Sequence, residues 1–181
     1  MRDNAGFKRL HRNASGPSRA ATRGGRKPQA RLYGNVCGAI TGAEALVDTG
    51  AIPALLDSTD RRHRVCVESF RQLRLPLVTS EGVLTELFHL VGDNRKEMES
   101  AWKLLRSGAI EPAAITHAEL PQVHALMSGY GDRPMDFADA TLVHLARRES
   151  LSTIFTVDHA DLETYRIEGR RRFRELPEKR P

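Results

Sequence analysis

Apolar runs alternate with amphipathic stretches along most of the chain beyond residue 44. Runs that are rich in apolar or β-branched residues and end near turn signals predict five strands, over residues 45–47, 75–79, 109–115, 153–157 and 173–176. Apolar residues at three- and four-residue spacing predict helices between them, over residues 51–56, 61–73, 81–91, 94–107, 117–130 and from 134 onward. This alternation predicts an α/β fold with a parallel sheet flanked by helices.

Two of the predicted helices carry specific expectations about packing. On helix 94–107 the periodicity turns Met98, Trp102 and Leu105 inward. On helix 117–130 it places Leu120, Val123 and Met127 on the apolar side. We expect these residues to pack a core rather than to contact a ligand.

The helix that follows Pro134 begins with two carboxylates, Asp136 and Asp139, three residues apart and therefore on one face. Leu142 and Leu145 continue along its core-facing stripe. An acid at a helix start is commonly a cap, and this interpretation suits Asp136. Asp139 lies between two alanines, where a carboxylate is costly unless a cation meets it.

Three further acids occupy comparable positions. Asp48 and Asp158 each end an apolar strand, and Glu86 lies among apolar residues of helix 81–91. Each has a structural alternative: Asp48 could cap the following helix, and Glu86 could be a solvated carboxylate on a narrow polar side. Because strand ends and helix starts converge at one edge of a doubly wound sheet, Asp48, Glu86, Asp139 and Asp158 can meet in one pocket.

Four converging carboxylates would repel one another and raise each other's pKa values unless a divalent cation compensates. Ligands that offer only oxygen suit Mg²⁺, with Mn²⁺ as a substitute, rather than zinc. Metal-assisted hydrolysis of a phosphodiester is the chemistry that such a site supports.

Other motifs fit less well. Glu86 and His89 have the Glu-x-x-His spacing of di-iron bundles, but the chain lacks the second copy. His89, His144 and His159 lack the spacing of zinc ligands. The sequence contains neither a Walker loop nor a GxGxxG motif, and Gly50 stands where a haloacid-dehalogenase-type phosphatase requires a second Asp.

Charge is distributed unevenly along the chain. The formal net charge is +5, yet residues 1–43 hold nine Lys or Arg and one acid, while the remainder is slightly acidic. These first residues are rich in Arg, Gly and Ser without a hydrophobic period, which predicts a disordered basic extension. It is either a tail that contacts nucleic acid by charge or an extension without a role, such as upstream sequence from an early start codon.

The remaining composition favours a cytoplasmic protein. Two cysteines, Cys37 and Cys66, form neither a CxxC motif nor a disulfide framework. The sequence offers no apolar stretch long enough to span a membrane, and its basic N-terminus lacks the apolar segment of a secretory signal.

Four short segments bring the acids together in a specific order. They read Val-Asp-Thr-Gly-Ala-Ile at residues 47–52, Thr-Glu at 85–86, Met-Asp-Phe-Ala-Asp-Ala at 135–140 and Thr-Val-Asp at 156–158. In this order and spacing they resemble the PIN-domain family, and within it the VapC-type toxins of toxin–antitoxin pairs. The resemblance covers residues 44–177, which we interpret as the PIN domain. It implies a three-layer α/β/α fold with a central parallel sheet, and Mg²⁺-dependent endoribonuclease activity.

The resemblance also assigns roles to residues. Asp48, Glu86, Asp139 and Asp158 match the family's metal-binding and catalytic acids, Asp136 a supporting acid, and Thr49 the small hydroxyl residue that follows the first acid. The basic extension lies outside the family pattern, and Gly50 stands where many members have Ser or another small residue.

The resemblance implies RNA as the substrate, a cognate antitoxin whose tail occupies the acidic groove, and a homodimer. An alternative class is a non-catalytic PIN-like module that holds RNA or a partner protein without cutting it. The basic extension and the run Arg170-Arg171-Arg172 motivate this alternative.

Overall fold

A computed structural model describes residues 42–130 and 135–178 of the chain. The predicted basic extension lies outside the described residues except for Gly42 and Ala43, and so does Pro134. Five strands form the sheet: β1 (Ala45–Val47), β2 (Leu77–Ser80), β3 (Ile110–Ala113), β4 (Thr153–Phe155) and β5 (Arg174–Leu176). Seven helices are described: α1 (Ala51–Leu56), α2 (His63–Phe70), α3 (Glu81–Val91), α4 (Arg95–Arg106), α5 (Leu120–Gly129), α6 (Phe137–Arg148) and α7 (His159–Leu162).

The sheet has the strand order β3-β2-β1-β4-β5, and every pair in it is parallel. β1 lies at the centre because its three residues are fully buried and pair with strands on both sides, with Leu46 opposite Val78 and Ile154. The predicted α/β class with a central parallel sheet is therefore confirmed.

Side-chain alternation along the strands builds a core on each face of the sheet. Leu46 and Ile154 pack into one core with α5 and α6, whereas Val47 and Phe155 pack into the other with residues of α1, α2 and α4. Eight of the twelve residues of α6 are buried, so this helix is enclosed on most sides rather than along one stripe. The acids at its first turn are thus carried on one of the most firmly packed elements of the fold.

Some boundaries and orientations differ from the predictions. β2 begins at Leu77 because Leu75 is exposed and Pro76 has no N–H for the ladder. The helix over residues 117–130 begins as a 3₁₀ turn, His117–Glu119, and Leu120 is 41% exposed. Trp102 is also exposed, stacked on Phe88 at 4.7 Å between ring centroids, so its inward orientation was a wrong prediction. Within the described residues, every helix is too short or too polar to cross a membrane.

Candidate active site

The candidate site lies where the chain crosses over to opposite sides of β1. β2 and β3 extend the sheet on one side of β1, whereas β4 and β5 extend it on the other. Asp48 follows β1 directly and Asp158 lies three residues beyond the end of β4, so both lie past the carboxyl ends of neighbouring strands. This is the topological switch point, at which open α/β sheets bind ligands.

Asp48 is held by two neighbours rather than by the helix that follows it. Its Oδ1 accepts a hydrogen bond from the backbone N–H of Thr49 at 2.6 Å, and its Oδ2 accepts one from the Thr156 hydroxyl at 2.9 Å. The N-cap of α1 is Gly50, and it makes no side-chain cap. The interpretation of Asp48 as a helix cap is therefore wrong, and its carboxylate is fixed across the β1–β4 pair.

Gly50 has a packing reason at this turn. A Cβ at this position would lie 3.0 Å from Cγ2 of Val157, closer than side chains ordinarily pack. The first turn of α1 can therefore press against the strand end that leads to Asp158. The position of Val157 thus explains why this chain has Gly50 where many members of the family have Ser or another small residue.

Glu86 projects from the second turn of α3. The helix begins at Ser80, whose hydroxyl accepts a hydrogen bond from the Val83 N–H at 3.1 Å. The Thr49 hydroxyl donates to Oε2 of Glu86 at 2.9 Å. A single residue thus joins two acids, through its N–H to Asp48 and through its hydroxyl to Glu86.

Asp136 and Asp139 have distinct positions at the start of α6. Asp136 is the N-cap, and its Oδ1 accepts a hydrogen bond from the Asp139 N–H at 2.8 Å. Oδ2 of Asp139 accepts a hydrogen bond from the buried Tyr165 hydroxyl at 2.9 Å. The prediction of Asp136 as a cap is confirmed.

A close approach of α3 and α6 brings Glu86 near the Asp139 helix. A Cβ at Gly82 would lie 3.3 Å from Cα of Ala138 and 3.3 Å from Cδ1 of Phe137. Any side chain at position 82 would therefore push the two helices apart. The small residue at position 82 thus contributes to the close packing of the two helices that carry Glu86 and Asp139.

These elements enclose a cavity of about 220 Å³, which we call the acidic cavity. All six residues that the sequence nominated line it, together with three others: Asp48, Thr49, Gly50, Glu86, Leu90, Asp136, Asp139, Asp158 and Leu162. The acids that were predicted to converge from strand ends and helix starts therefore do line one cavity in the described part of the chain.

The electrostatics of the acidic cavity are unfavourable for ionised Asp48. Burial, together with the charges of Asp158 and Glu86, raises the pKa of Asp48 to about 6, against hydrogen bonds from Thr156 and Thr49 that lower it. Within residues 42–130 and 135–178, Asp48 forms no ion pair with a Lys, Arg or His side chain. A divalent cation among these acids would remove the repulsion.

The donor set matches a hard divalent cation in its chemistry, because the acids offer only oxygen and the lining contains neither His nor Cys. As the side chains stand, the described residues contain no group of three or more His, Cys, Asp or Glu side chains that could hold a metal ion. The acids therefore share one cavity without forming a closed cage.

Sequence reasoning missed two residues of the site, Thr156 and Tyr165. The Thr156 hydroxyl contacts Asp48 and accepts a hydrogen bond from the Asp158 N–H at 2.9 Å, and thus ties two acids together. Its position two residues before Asp158, at a strand end, was the available signal. Tyr165 lies 26 residues beyond Asp139, in a segment without helical or strand periodicity, and no pattern in the sequence indicates it.

The histidines do not contribute to the acidic cavity. Nε2 of His144 is 3.0 Å from Oε1 of Glu119, and Nδ1 of His159 is 2.6 Å from Oε2 of Glu175. His89 is exposed and does not line the cavity. The Glu-x-x-His alternative therefore has no support in the described structure.

Comparison with known proteins agrees with this fold and motif order. A family-wide sequence comparison matches residues 45–167 to the PIN domain. The chain belongs to the PIN-domain family.

Two proteins of the VapC type are similar to it. Ribonuclease VapC26 of Mycobacterium tuberculosis (strain ATCC 25618 / H37Rv) is 32% identical over 135 residues, which span 73% of this chain and 99% of that protein. VapC20 of Mycobacterium tuberculosis, described as a Sarcin-Ricin loop cleaving toxin, superposes with a TM-score of 0.57 at 21% identity. That superposition covers 65% of this chain and 92% of VapC20, and shows a shared fold. The resemblance to VapC-type PIN proteins is confirmed.

Proposed function

We propose that the chain is a Mg²⁺-dependent endoribonuclease and the toxin of a toxin–antitoxin pair. One observation carries the proposal: carboxylates from four distant segments, Asp48, Glu86, Asp139 and Asp158, line a single cavity at the switch point of the sheet. The similarity to Ribonuclease VapC26 over nearly all of that protein's length supports RNA as the substrate.

In this proposal Asp48, Glu86, Asp139 and Asp158 are the residues that would hold the cation. Mg²⁺ supplies the Lewis acidity that activates water and stabilises the charge developing on the phosphate. The protein supplies the orientation: Thr49 and Thr156 fix Asp48, and Tyr165 fixes Asp139. Mn²⁺ would substitute, because it also prefers oxygen ligands.

The proposed partners follow from the same cavity. A cognate antitoxin that places a basic side chain against Asp48 or Asp139 would replace the cation and hold the enzyme inactive. A homodimer and a cytoplasmic location remain predictions from the resemblance and the composition. A small open reading frame beside this gene, encoding a protein that copurifies with the chain, is the expected observation.

Asparagine variants of the acids test the proposal. Asp48→Asn and Asp139→Asn should each slow Mg²⁺-dependent cleavage of a labelled RNA at least about a hundredfold, because about 3 kcal/mol of transition-state stabilisation is lost. Both should also weaken Mn²⁺ binding measured by titration calorimetry. Asp93→Asn is a matched control, since Asp93 is an exposed acid just beyond α3 that does not line the cavity.

Wild-type cleavage by Asp48→Asn or Asp139→Asn, or unchanged Mn²⁺ affinity, would contradict the proposed site. A non-catalytic RNA-binding module gives a different result. It should retain both its RNA affinity and its biological effect when Asp139 becomes Asn, whereas a nuclease toxin loses toxicity.

A further inference from the structure

A second and larger cavity lies next to the acidic cavity. Its volume is about 810 Å³, and we call it the basic pocket. Its lining includes three arginines around the start of α2, residues that flank Asp158, and one acid: Arg61, Arg62, Arg64, Val157, His159 and Glu178. Because Val157 and His159 line the basic pocket while Asp158 lines the acidic cavity, the strip 157–159 separates the two.

Arg62 is the most firmly positioned of the three arginines. Its Nε and Nη2 donate to the two carboxylate oxygens of Asp60, both at 3.2 Å, and its backbone N–H donates to Oδ1 of Asp60. Nη1 of Arg62 has no hydrogen-bond partner among the described residues. The guanidinium is thus held by one edge and retains donors for an anion.

Arg62 also lies within electrostatic reach of the candidate active site. The pKa of Arg62 is raised chiefly by the hydrogen bonds that its guanidinium donates to Asp60 and, to a smaller extent, by the charge of Asp158. A phosphate bound at Arg62 would therefore be a neighbour of whatever binds at the acids.

Arg61 and Arg64 extend the cationic side outward. Arg61 is exposed and forms no ion pair with a described residue. Arg64 pairs with Glu68 at 3.0 Å, but its side chain is 91% exposed, and exposed pairs of this kind contribute little. Both guanidinium groups can therefore turn to a phosphate at small cost.

We propose that the basic pocket holds the phosphate backbone of the RNA strand beside the cut site, with Arg62 as a positioning residue and Arg61 and Arg64 as further phosphate contacts. The inference rests on the proposed ribonuclease function. A cavity lined by five carboxylates repels a polyanion, so a nuclease with such a site needs cations close to it. Because Glu178 also lines the basic pocket and would repel phosphate, the proposed contacts are those to the arginines around the start of α2.

Metal-free binding measurements test this assignment without any cleavage. Wild-type chain in EDTA is titrated into a fluorescein-labelled single-stranded RNA of about twelve nucleotides, and anisotropy is followed at several KCl concentrations. The double variant Arg61→Ala/Arg64→Ala should bind about tenfold more weakly, and the slope of log affinity against log salt should fall by about 1.4. Arg95→Ala is the control for the loss of an exposed arginine, since Arg95 is exposed and lines neither cavity.

Arg62 requires a conservative variant, because its pairing with Asp60 also supports the start of α2. Arg62→Lys keeps the charge but loses the planar fork. It should raise KM for RNA severalfold and leave kcat at saturating RNA unchanged, with an unchanged melting temperature.

The inference would be overturned if Arg61→Ala/Arg64→Ala had the RNA affinity and salt slope of wild type. It would also be overturned if Arg95→Ala lost as much RNA affinity as the double variant. This failure is distinguishable from failure of the proposed function. The binding assay contains no metal and no cleavage, whereas the Asp48→Asn and Asp139→Asn variants report on cleavage and on metal binding.

Discussion

Two half-buried carboxylates in this protein, Asp48 and Glu119, have opposite surroundings. Asp48 is surrounded by other acids, and burial with its acidic neighbours raises its pKa to about 6. Glu119 is also partly desolvated, but hydrogen bonds from His144, Thr116 and Arg148 hold its pKa well below its usual range. The two pKa values thus shift in opposite directions, because Asp48 is the more deeply desolvated and has acidic neighbours, whereas Glu119 accepts hydrogen bonds from several donors.

The difference distinguishes Glu119, which stabilises the fold through its cationic partners, from Asp48, which has no cationic partner among the described residues. Glu119 joins Thr116 at the start of the 3₁₀ turn to two residues of α6, His144 and Arg148, with Nη1 of Arg148 2.9 Å from Oε1 of Glu119. Asp48 receives only an N–H and a hydroxyl from the described residues. An uncompensated charge destabilises a folded protein. Its presence at Asp48 is therefore better explained by a functional role than by a role in stability.

The largest expected effect comes from breaking the Glu119 network. Glu119→Ala should lower the free energy of unfolding by about 3 kcal/mol, because it leaves the partly buried His144 without its carboxylate and Arg148 with Glu149 alone. Urea denaturation at pH 7 measures the loss. Glu111→Gln, a change at an exposed acid of β3, is the control and should stay within about 0.5 kcal/mol of wild type.

RNA cleavage by Glu119→Ala, measured well below its melting temperature, should remain close to wild type. If Glu119→Ala folded normally but lost cleavage, the Glu119 network would have a role in the acidic cavity, and the two regions would not be functionally separate.

A smaller effect of opposite sign is expected at Asp48. The folded-state pKa of about 6 exceeds the ordinary 3.8, so the folded protein binds this proton more tightly than the unfolded chain. The contribution to stability is present below pH 4 and is lost as pH rises through about 6. In EDTA at pH 7, Asp48→Asn should therefore be more stable than wild type by about 2 kcal/mol, a value discounted for partial exposure.

The difference between wild type and Asp48→Asn should shrink as pH falls from 6 to 4, which separates Asp48 from every other titrating group. Mg²⁺ should raise the melting temperature of wild type at pH 7, and that of Asp48→Asn far less. Equal melting temperatures with and without Mg²⁺ in wild type would count against a cation at these acids.

The smallest effect is expected from the hydroxyl that contacts Asp139. Tyr165→Phe keeps the ring, which packs edge-on against Tyr130, and removes only the hydrogen bond to Oδ2 of Asp139. The loss of about 1 kcal/mol in orienting this carboxylate should lower kcat about fivefold. Tyr130→Phe is the matched control, because the Tyr130 hydroxyl accepts a hydrogen bond from the Arg166 N–H rather than contacting an acid.

An unchanged kcat for Tyr165→Phe would mean that α6 alone orients Asp139. A decrease of the same size in Tyr130→Phe would attribute the effect to the packing of the aromatic pair.

Much of the fold follows from local patterns in the sequence. The bounds of α3 are those predicted, because Ser80 caps its start and Gly92 follows its end. The meeting of Asp48 and Asp158 follows from a general property of parallel sheets, in which neighbouring strands end at one edge. Asp136 was recognisable as a cap because a capping side chain acts within three residues of itself.

Contacts that depend on tertiary packing could not be predicted. Tyr165 reaches Asp139 from a segment without periodicity, so only the folded chain reveals the pair. Trp102 has the spacing of a core residue, yet it lies on the outer surface against Phe88. Periodicity identifies the apolar face of a helix, but neighbouring elements decide how much of that face is covered.

The hydrogen bond between Asp48 and Thr156 joins residues 108 positions apart, and this has a consequence for biosynthesis. β1 is synthesised early, but its partner β4 and Asp158 follow only after every helix from α1 to α6. A chain still growing on the ribosome therefore lacks one wall of the acidic cavity. If the proposed activity is correct, a nuclease made beside abundant RNA stays harmless until its sheet is closed by β4.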